Sequence, residues 1–110
     1  MAILYSNKEL DKRRLYAHTR AEAIPMKELA DGEILDPVEL VIYEEVGNDE
    51  EPKKLISILD AEGRHFASSS GTLIREVEAI IELMEGEPYQ LKIRKRKSNN
   101  GRIYTTCELV

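Results

Sequence analysis

"LISILDAEGRHFASSSGTLIREVEAIIELMEG", Leu55 to Gly86, carries a strand, a turn, a second strand and a helix in succession. From Lys54 the side chains alternate, with Ile56, Ile58 and Asp60 on one face and Leu55, Ser57 and Leu59 on the other, which marks a mostly buried strand. "AEG" (Ala61 to Gly63) then interrupts the pattern. A three-residue loop ending in glycine suits a type I turn followed by a left-handed residue, and it sets Asp60 opposite Arg64 and Ile58 opposite Phe66. Beyond the serines the period changes to helical. Ser70 or Thr72 caps the helix, Leu73, Val77, Ile80, Ile81 and Met84 form its apolar face, and Gly86 followed by Pro88 stops it. Glu78, Glu82 and Glu85 make the opposite, solvated face.

Upstream, Val38, Leu40 and Ile42 alternate with Glu39, Val41 and Tyr43, giving an earlier strand that ends in the polar break "GNDEEP", Gly47 to Pro52. Downstream, "LKIRKRKSNNGRIYTTCEL" (Leu91 to Leu109) reads as a hairpin whose register depends on its turn. A two-residue Asn100-Gly101 turn would set Ile93 opposite Glu108 and mix the faces. A three-residue loop, Asn99-Asn100-Gly101, pairs Leu91 with Leu109, Ile93 with Cys107 and Lys97 with Ile103, so the apolar groups share a face. In that register Lys92, Arg94, Arg96, Arg102 and Tyr104 point the other way, with Arg96 directly across from Tyr104.

Ahead of these elements, Ser6 and Glu9 have capping-box spacing, which predicts a helix from about Asn7 to His18 with a weak apolar stripe that packs on the body. Pro25 suits the start of another helical turn, ended by Asp31-Gly32. The chain therefore reads as mainly β, in the order β-β-β-α-β-β behind a helical head and lead-in (residues 1–34). That is the element order of the OB-fold, a five-stranded, partly open barrel with the helix plugging one end, here spanning 38–110. An open five-stranded sheet with the helix laid on one face has the same order.

At 110 residues and 42% hydrophobic content there is material for one domain with a real core, and a second domain is not expected. No apolar run approaches the roughly 20 residues that span a bilayer, and the single cysteine excludes an intrachain disulfide, so a soluble cytoplasmic protein is expected. The formal charge of −5 is unevenly spread: residues 35–87 carry four positive and fourteen negative side chains, whereas residues 88–110 carry six and one. A cationic hairpin thus stands on an acidic body.

Catalytic and metal chemistry find no support in this inventory. His18, His65 and Cys107 fall on three different elements without ligand spacing, and neither a nucleophile elbow nor a phosphate-binding glycine loop occurs. Ser68-Ser69-Ser70 reads as a strand end and helix cap, Cys107 as a small core hydrophobe, and Glu44-Glu45 as a solvated turn flank. No catalytic residue, metal or cofactor is expected.

"ADGEI" before the first strand, "LDAEGRHFASSS" before the helix and "KSNNGRIYTTCEL" at the end together resemble the small single-stranded-DNA-binding proteins of phages and mobile elements of Gram-positive bacteria. The likeness runs from about Glu28 onward, and its most distinctive piece is Ser98…Gly101-Arg102-x-Tyr104. It implies an OB-like barrel that binds single-stranded DNA in replication or recombination. Family members often end in a disordered acidic tail that recruits partners, and a sequence ending in Glu108-Leu109-Val110 is not expected to recruit that way. The residue chemistry agrees with DNA binding: Lys92, Arg94, Arg96 and Arg102 suit phosphates, and Tyr104 offers a stacking face. Tyr43 and Tyr89 are further candidate platforms, or else barrel residues with the hydroxyl at the surface. Nothing separates DNA from RNA, and the modest charge of one copy points to oligomerisation or cooperative coating for tight binding. Two rival roles remain for the hairpin: an edge strand guarded by charge, and an interaction or assembly module docking on an acidic partner.

Overall fold

The computed structural model describes residues 1–47 and 51–110, so three residues of the expected Gly47–Pro52 turn lie outside the described ones. In chain order the elements are β1 (Ala2–Ser6), α1 (Lys12–Thr19), β2 (Ile24–Pro25), a single 3₁₀ turn (Met26–Glu28), β3 (Ile34–Leu35), β4 (Pro37–Val46), β5 (Pro52–Asp60), β6 (His65–Ser68), α2 (Gly71–Met84), β7 (Leu91–Lys97) and β8 (Ile103–Leu109). The chain is mainly β, as its alternating patterns imply.

The central strands pair as their side chains demand. Ile58 faces Phe66 across β5 and β6, and Gly63, at φ +80°, takes the left-handed position that closes the loop. Helix α2 starts at the cap Ser70, whose Oγ accepts from the Leu73 N–H at 3.4 Å, and it ends at Glu85 and Gly86, both at positive φ. The last hairpin adopts the three-residue loop: Leu91 pairs with Leu109, Ile93 with Cys107, Arg96 with Tyr104 and Lys97 with Ile103. The two-residue alternative is excluded.

Strands assemble into a five-stranded sheet, ordered β1-β4-β5-β6-β2, and a three-stranded sheet, β3-β7-β8. They share one seam. Residues Ile34 to Val46 run through both: β3 pairs with β7, the chain bends at Asp36-Pro37, and β4 continues antiparallel to β5. On the opposite side β6 and β8 do not pair; the outer edge of β6 takes the two-residue β2 in parallel. The sheets therefore do not close into the five-stranded barrel expected from element order. Leu40, Ile42, Ile56, Ile58 and Phe66 from the large sheet meet Leu73, Ile74, Val77 and Ile80 of α2, and Leu35, Leu91, Ile93 and Cys107 of the small one, in a single core. Met26 from the 3₁₀ turn and Leu29 just after it complete the core.

The N-terminus departs most from expectation. Ala2–Ser6, ahead of the expected helix, form β1, which pairs with β4 as an edge strand, and α1 starts five residues later than expected, at Lys12, with Asp11 as its cap. The Ser6–Glu9 box does not form. Asn7 explains the difference, because its amide substitutes for backbone where β4 carries an irregularity: Oδ1 accepts from the Leu40 N–H at 2.8 Å and Nδ2 donates to the Val38 carbonyl at 3.1 Å. The same irregularity turns Val38 outward, away from the face it was expected to share with Leu40 and Ile42. On the other face of β4, Glu39, Val41 and Tyr43 are buried as well.

Candidate nucleic-acid interface

The β7–β8 hairpin presents two chemically distinct faces, and the paired register decides which residue lies on each. Leu91, Ile93 and Cys107 point into the core. Burial pushes the Cys107 thiol up to about 12, with the Glu76 and Glu108 carboxylates acting in the same direction, so it is a protonated core group at neutral pH. Lys92, Arg94 and Arg96 alternate onto the outer face, opposite Glu108, Thr106 and Tyr104. Four of the five hairpin residues expected at the site therefore share one strand pair and one side, and Arg102 lies in the turn beside them.

This face is less cationic than its sequence suggests. Arg96 is ion-paired to Glu108, and Arg94 Nε lies between Asp31 Oδ1 at 3.6 Å and Glu108 Oε1 at 3.7 Å, without a hydrogen bond to either. Asp31 arrives from the turn before β3, where its Oδ1 accepts from the Lys95 N–H at 2.8 Å. That hydrogen bond holds the Asp31 carboxyl below its usual range, helped by Arg94, Arg96 and Lys92. Glu108 was legible as the residue opposite Lys92, whereas Asp31 is separated from Lys95 by 64 positions and left no local signal. Lys92, Lys97 and Arg102 have no carboxylate partner among the described residues.

The concave surface lies beside the hairpin, at the seam that the sheets leave open. A groove of about 800 Å³ runs between β6 and β8, lined by Pro25, Met26, Leu55, Ala67, Ile103 and Tyr104, with Ser68, Ser69 and Ser70 along one wall. Lys95 crosses its floor, its Nζ donating to the Lys27 carbonyl at 2.6 Å and to Thr105 Oγ1 at 2.7 Å. A second groove of about 600 Å³ lies between the hairpin turn (Ser98, Asn99, Asn100, Arg102) and Thr72 in the first turn of α2. Tyr104 lines both. The pair forms an apolar trough with polar ends, and the aromatic ring stands where they meet. Sequence reasoning found Tyr104 and Arg102 but missed the trough, because its other wall comes from residues 23–27 and 67–70.

Tyr43 is not part of this surface. Only 5% exposed, it lies on the outer face of β4, and burial raises its phenol pKa, with Glu45 adding to the shift and Arg20 opposing it. Tyr89 packs against the core, and burial pushes its phenol up to about 12. Burial leaves Tyr43 no open ring face, whereas Tyr89 is partly buried.

His18 and His65, assigned to separate elements by sequence, come together with ring centroids 6.0 Å apart. Both are engaged by protein groups: His18 by Ser57 and Glu39, His65 by Ser57 and the Glu22 carbonyl. A glutamate and a serine inside otherwise apolar strands were the available signal. Comparisons with protein-family models, curated proteins and solved structures gave no significant match to this chain.

Proposed function

We propose that the protein binds single-stranded DNA without strong sequence preference, on an OB-like frame left open between β6 and β8. The observation that carries this reading is the position of Tyr104, exposed at the junction of two grooves with Arg102 at the turn and Arg96 across the strand pair. An aromatic face next to cations in a trough suits an unpaired base, since any base can stack while its phosphates meet Arg102, Lys97 and Lys92. A duplex offers no such free base. From the motif resemblance read in the sequence we extend the proposal to a role in replication or recombination. The ion pairs of Arg94 and Arg96 make the net charge of the face small, so tight binding requires several copies along one strand.

Fluorescence anisotropy with labelled oligo-dT at two salt concentrations tests the proposal. Salt-sensitive binding that duplex DNA competes for poorly is expected, and no binding at low salt contradicts it.

A second reading is favoured by a separate observation. Strand β8 is the unpaired edge of its sheet, and Ile103 on it is 72% exposed, with Leu109 also exposed. An edge of that kind accepts a further strand, so the hairpin would dock on an acidic protein partner or a second copy of the chain. Retention of a dimer by a protein that ignores oligo-dT is the result that selects this alternative.

A further inference from the structure

A chain of hydrogen bonds lies under α1, away from the grooves. His65 Nδ1 faces the Glu22 carbonyl at 3.0 Å, and His65 Nε2 faces Ser57 Oγ at 2.7 Å. Ser57 Oγ in turn faces His18 Nδ1 at 2.7 Å, and His18 Nε2 faces Glu39 Oε1 at 2.7 Å. Arg14 of α1 closes the far end, donating to Glu39 Oε2 from Nε at 2.9 Å and from Nη2 at 2.6 Å. The set contains a serine, a histidine and a carboxylate in hydrogen-bonded sequence, but Ser57 is fully buried and lines neither groove, so it does not serve as a nucleophile.

Counting protons gives the chain a property that no single link has. Its four links run between two groups that only accept, a backbone carbonyl and a carboxylate. A neutral imidazole, a hydroxyl and a second neutral imidazole supply three protons. One link is therefore acceptor against acceptor unless an imidazole carries a second proton, and flipping either ring leaves the count unchanged. The fourth proton does not come from Glu39. Burial alone would raise that carboxyl, but hydrogen bonds from Arg14 and His18 more than reverse the effect and keep it below its usual range, hence ionised.

We propose that His65, Ser57 and His18 take up one shared proton, which enters at the solvent-facing end and closes His65 onto the Glu22 carbonyl. In the neutral chain the vacant link falls at His65–Glu22, since an unmade hydrogen bond costs least where water reaches it. His65 then carries its proton on Nε2 and donates to Ser57, Ser57 donates to His18 Nδ1, and His18 Nε2 donates to Glu39. On protonation from solvent, His65 acquires a proton at Nδ1 and passes its Nε2 proton inward. The Ser57 hydroxyl reverses to donate to His65, and His18 becomes the imidazolium, donating to both Ser57 and Glu39. The groups facing this relay are Arg14 from α1, Glu39 from β4, Ser57 from β5 and the Glu22 carbonyl from the segment before β2. Only His18 lies against the Glu39 carboxylate, at 2.7 Å, so the imidazolium sits there and His65 remains the neutral member; burial lowers the His65 pKa in the same sense, with the Glu22 hydrogen bond opposing and His18 reinforcing the shift. Glu22 immediately precedes Ala23 and Pro25 in the wall of the larger groove, so the same proton fixes or frees that wall. This holds whatever the groove binds.

The test is a pH titration of the full chain followed by NMR of the imidazole nitrogens and of the Glu22 carbonyl carbon. Over about pH 5 to 8, where histidine charge changes are centred, one shared midpoint is expected for both rings. His65 should change from the Nε2–H to the Nδ1–H tautomer as His18 becomes doubly protonated, and the Glu22 signal should move with the same midpoint. A His65 that keeps one tautomer throughout, or rings with independent midpoints, overturns the proposal. Ser57→Ala should uncouple the rings, and a shared midpoint that survives this change also overturns it. If that variant does not fold, the wild-type titration decides alone.

Discussion

Two hairpins in this molecule share one turn and use it differently. In the first, the Asp60 N–H donates to the Arg64 carbonyl at 3.0 Å and the Gly63 N–H to the Asp60 carbonyl at 3.0 Å; in the second, Ser98, Gly101 and Arg102 repeat the pattern at 2.8 and 2.9 Å. Both glycines sit at positive φ, at +80° and +85°. Each is followed by Arg-x-aromatic, Arg64-His65-Phe66 in one case and Arg102-Ile103-Tyr104 in the other. There the likeness ends. Arg64 is engaged by Asp60, Glu62 and Glu33 and lies 5.1 Å over the ring of a buried Phe66, whereas Arg102 has no carboxylate partner among the described residues and Tyr104 faces two grooves. Local chemistry made the two turns alike. One source of the difference between the two arginines lies four positions earlier, Asp60 against Ser98, and Glu62 and Glu33 add to it at Arg64.

The largest expected effect separates the two aromatics. Phe66→Ala empties a core site and should cost about 3–5 kcal/mol of stability, measured by urea denaturation. Tyr104→Ala should leave the denaturation midpoint nearly unchanged while weakening oligo-dT binding by about 1–3 kcal/mol, with little change in salt slope because stacking releases few counterions. Similar stability losses in the two variants would erase the contrast. Next in size, Arg94→Ala with Arg96→Ala should lower the slope of log K against log salt by about 0.7 for each phosphate that is no longer neutralised. Since both arginines already face Glu108, a decrease well short of that for two phosphates is expected.

Ser98→Asp converts the second turn into a copy of the first. It should pair Arg102 as Asp60 pairs Arg64, reduce oligo-dT affinity a few-fold in anisotropy, and leave folding intact. Unchanged affinity would mean that Arg102 does not meet the strand. The smallest effect concerns the inner face of the same hairpin: Cys107, 2% exposed and with its thiol pushed up to about 12, should resist alkylation at neutral pH until denaturant is added. Rapid labelling of the native protein would show that the hairpin is not anchored.

Both hairpin registers, including the pairs Ile58–Phe66 and Arg96–Tyr104, were legible because turn length and strand alternation are local properties. Helix α2 was legible for the same reason, its apolar spacing and both caps lying within its own residues. What the sequence hid was assembled across long separations. Strand β1 exists because β4 accepts it, and Ser6-x-x-Glu9 competes unsuccessfully with Asn7 substituting for backbone beside β4. Burial of Tyr43, neutralisation of Arg94 by Asp31 and the trough between β6 and β8 have the same origin. The candidate site was therefore half legible: Tyr104 and Arg102 from local pattern, the concave wall beside them not at all.

The most direct measurement of the central claim is backbone amide NMR of the protein titrated with oligo-dT at low salt. The account predicts perturbations concentrated at Thr72, Ser98, Arg102 and Tyr104 and along the groove wall at Ala67–Ser70, with the matching turn at Gly63–Phe66 unmoved. Shifts centred on that first turn, or confined to β1 and α1, would contradict it, as would the absence of any shift.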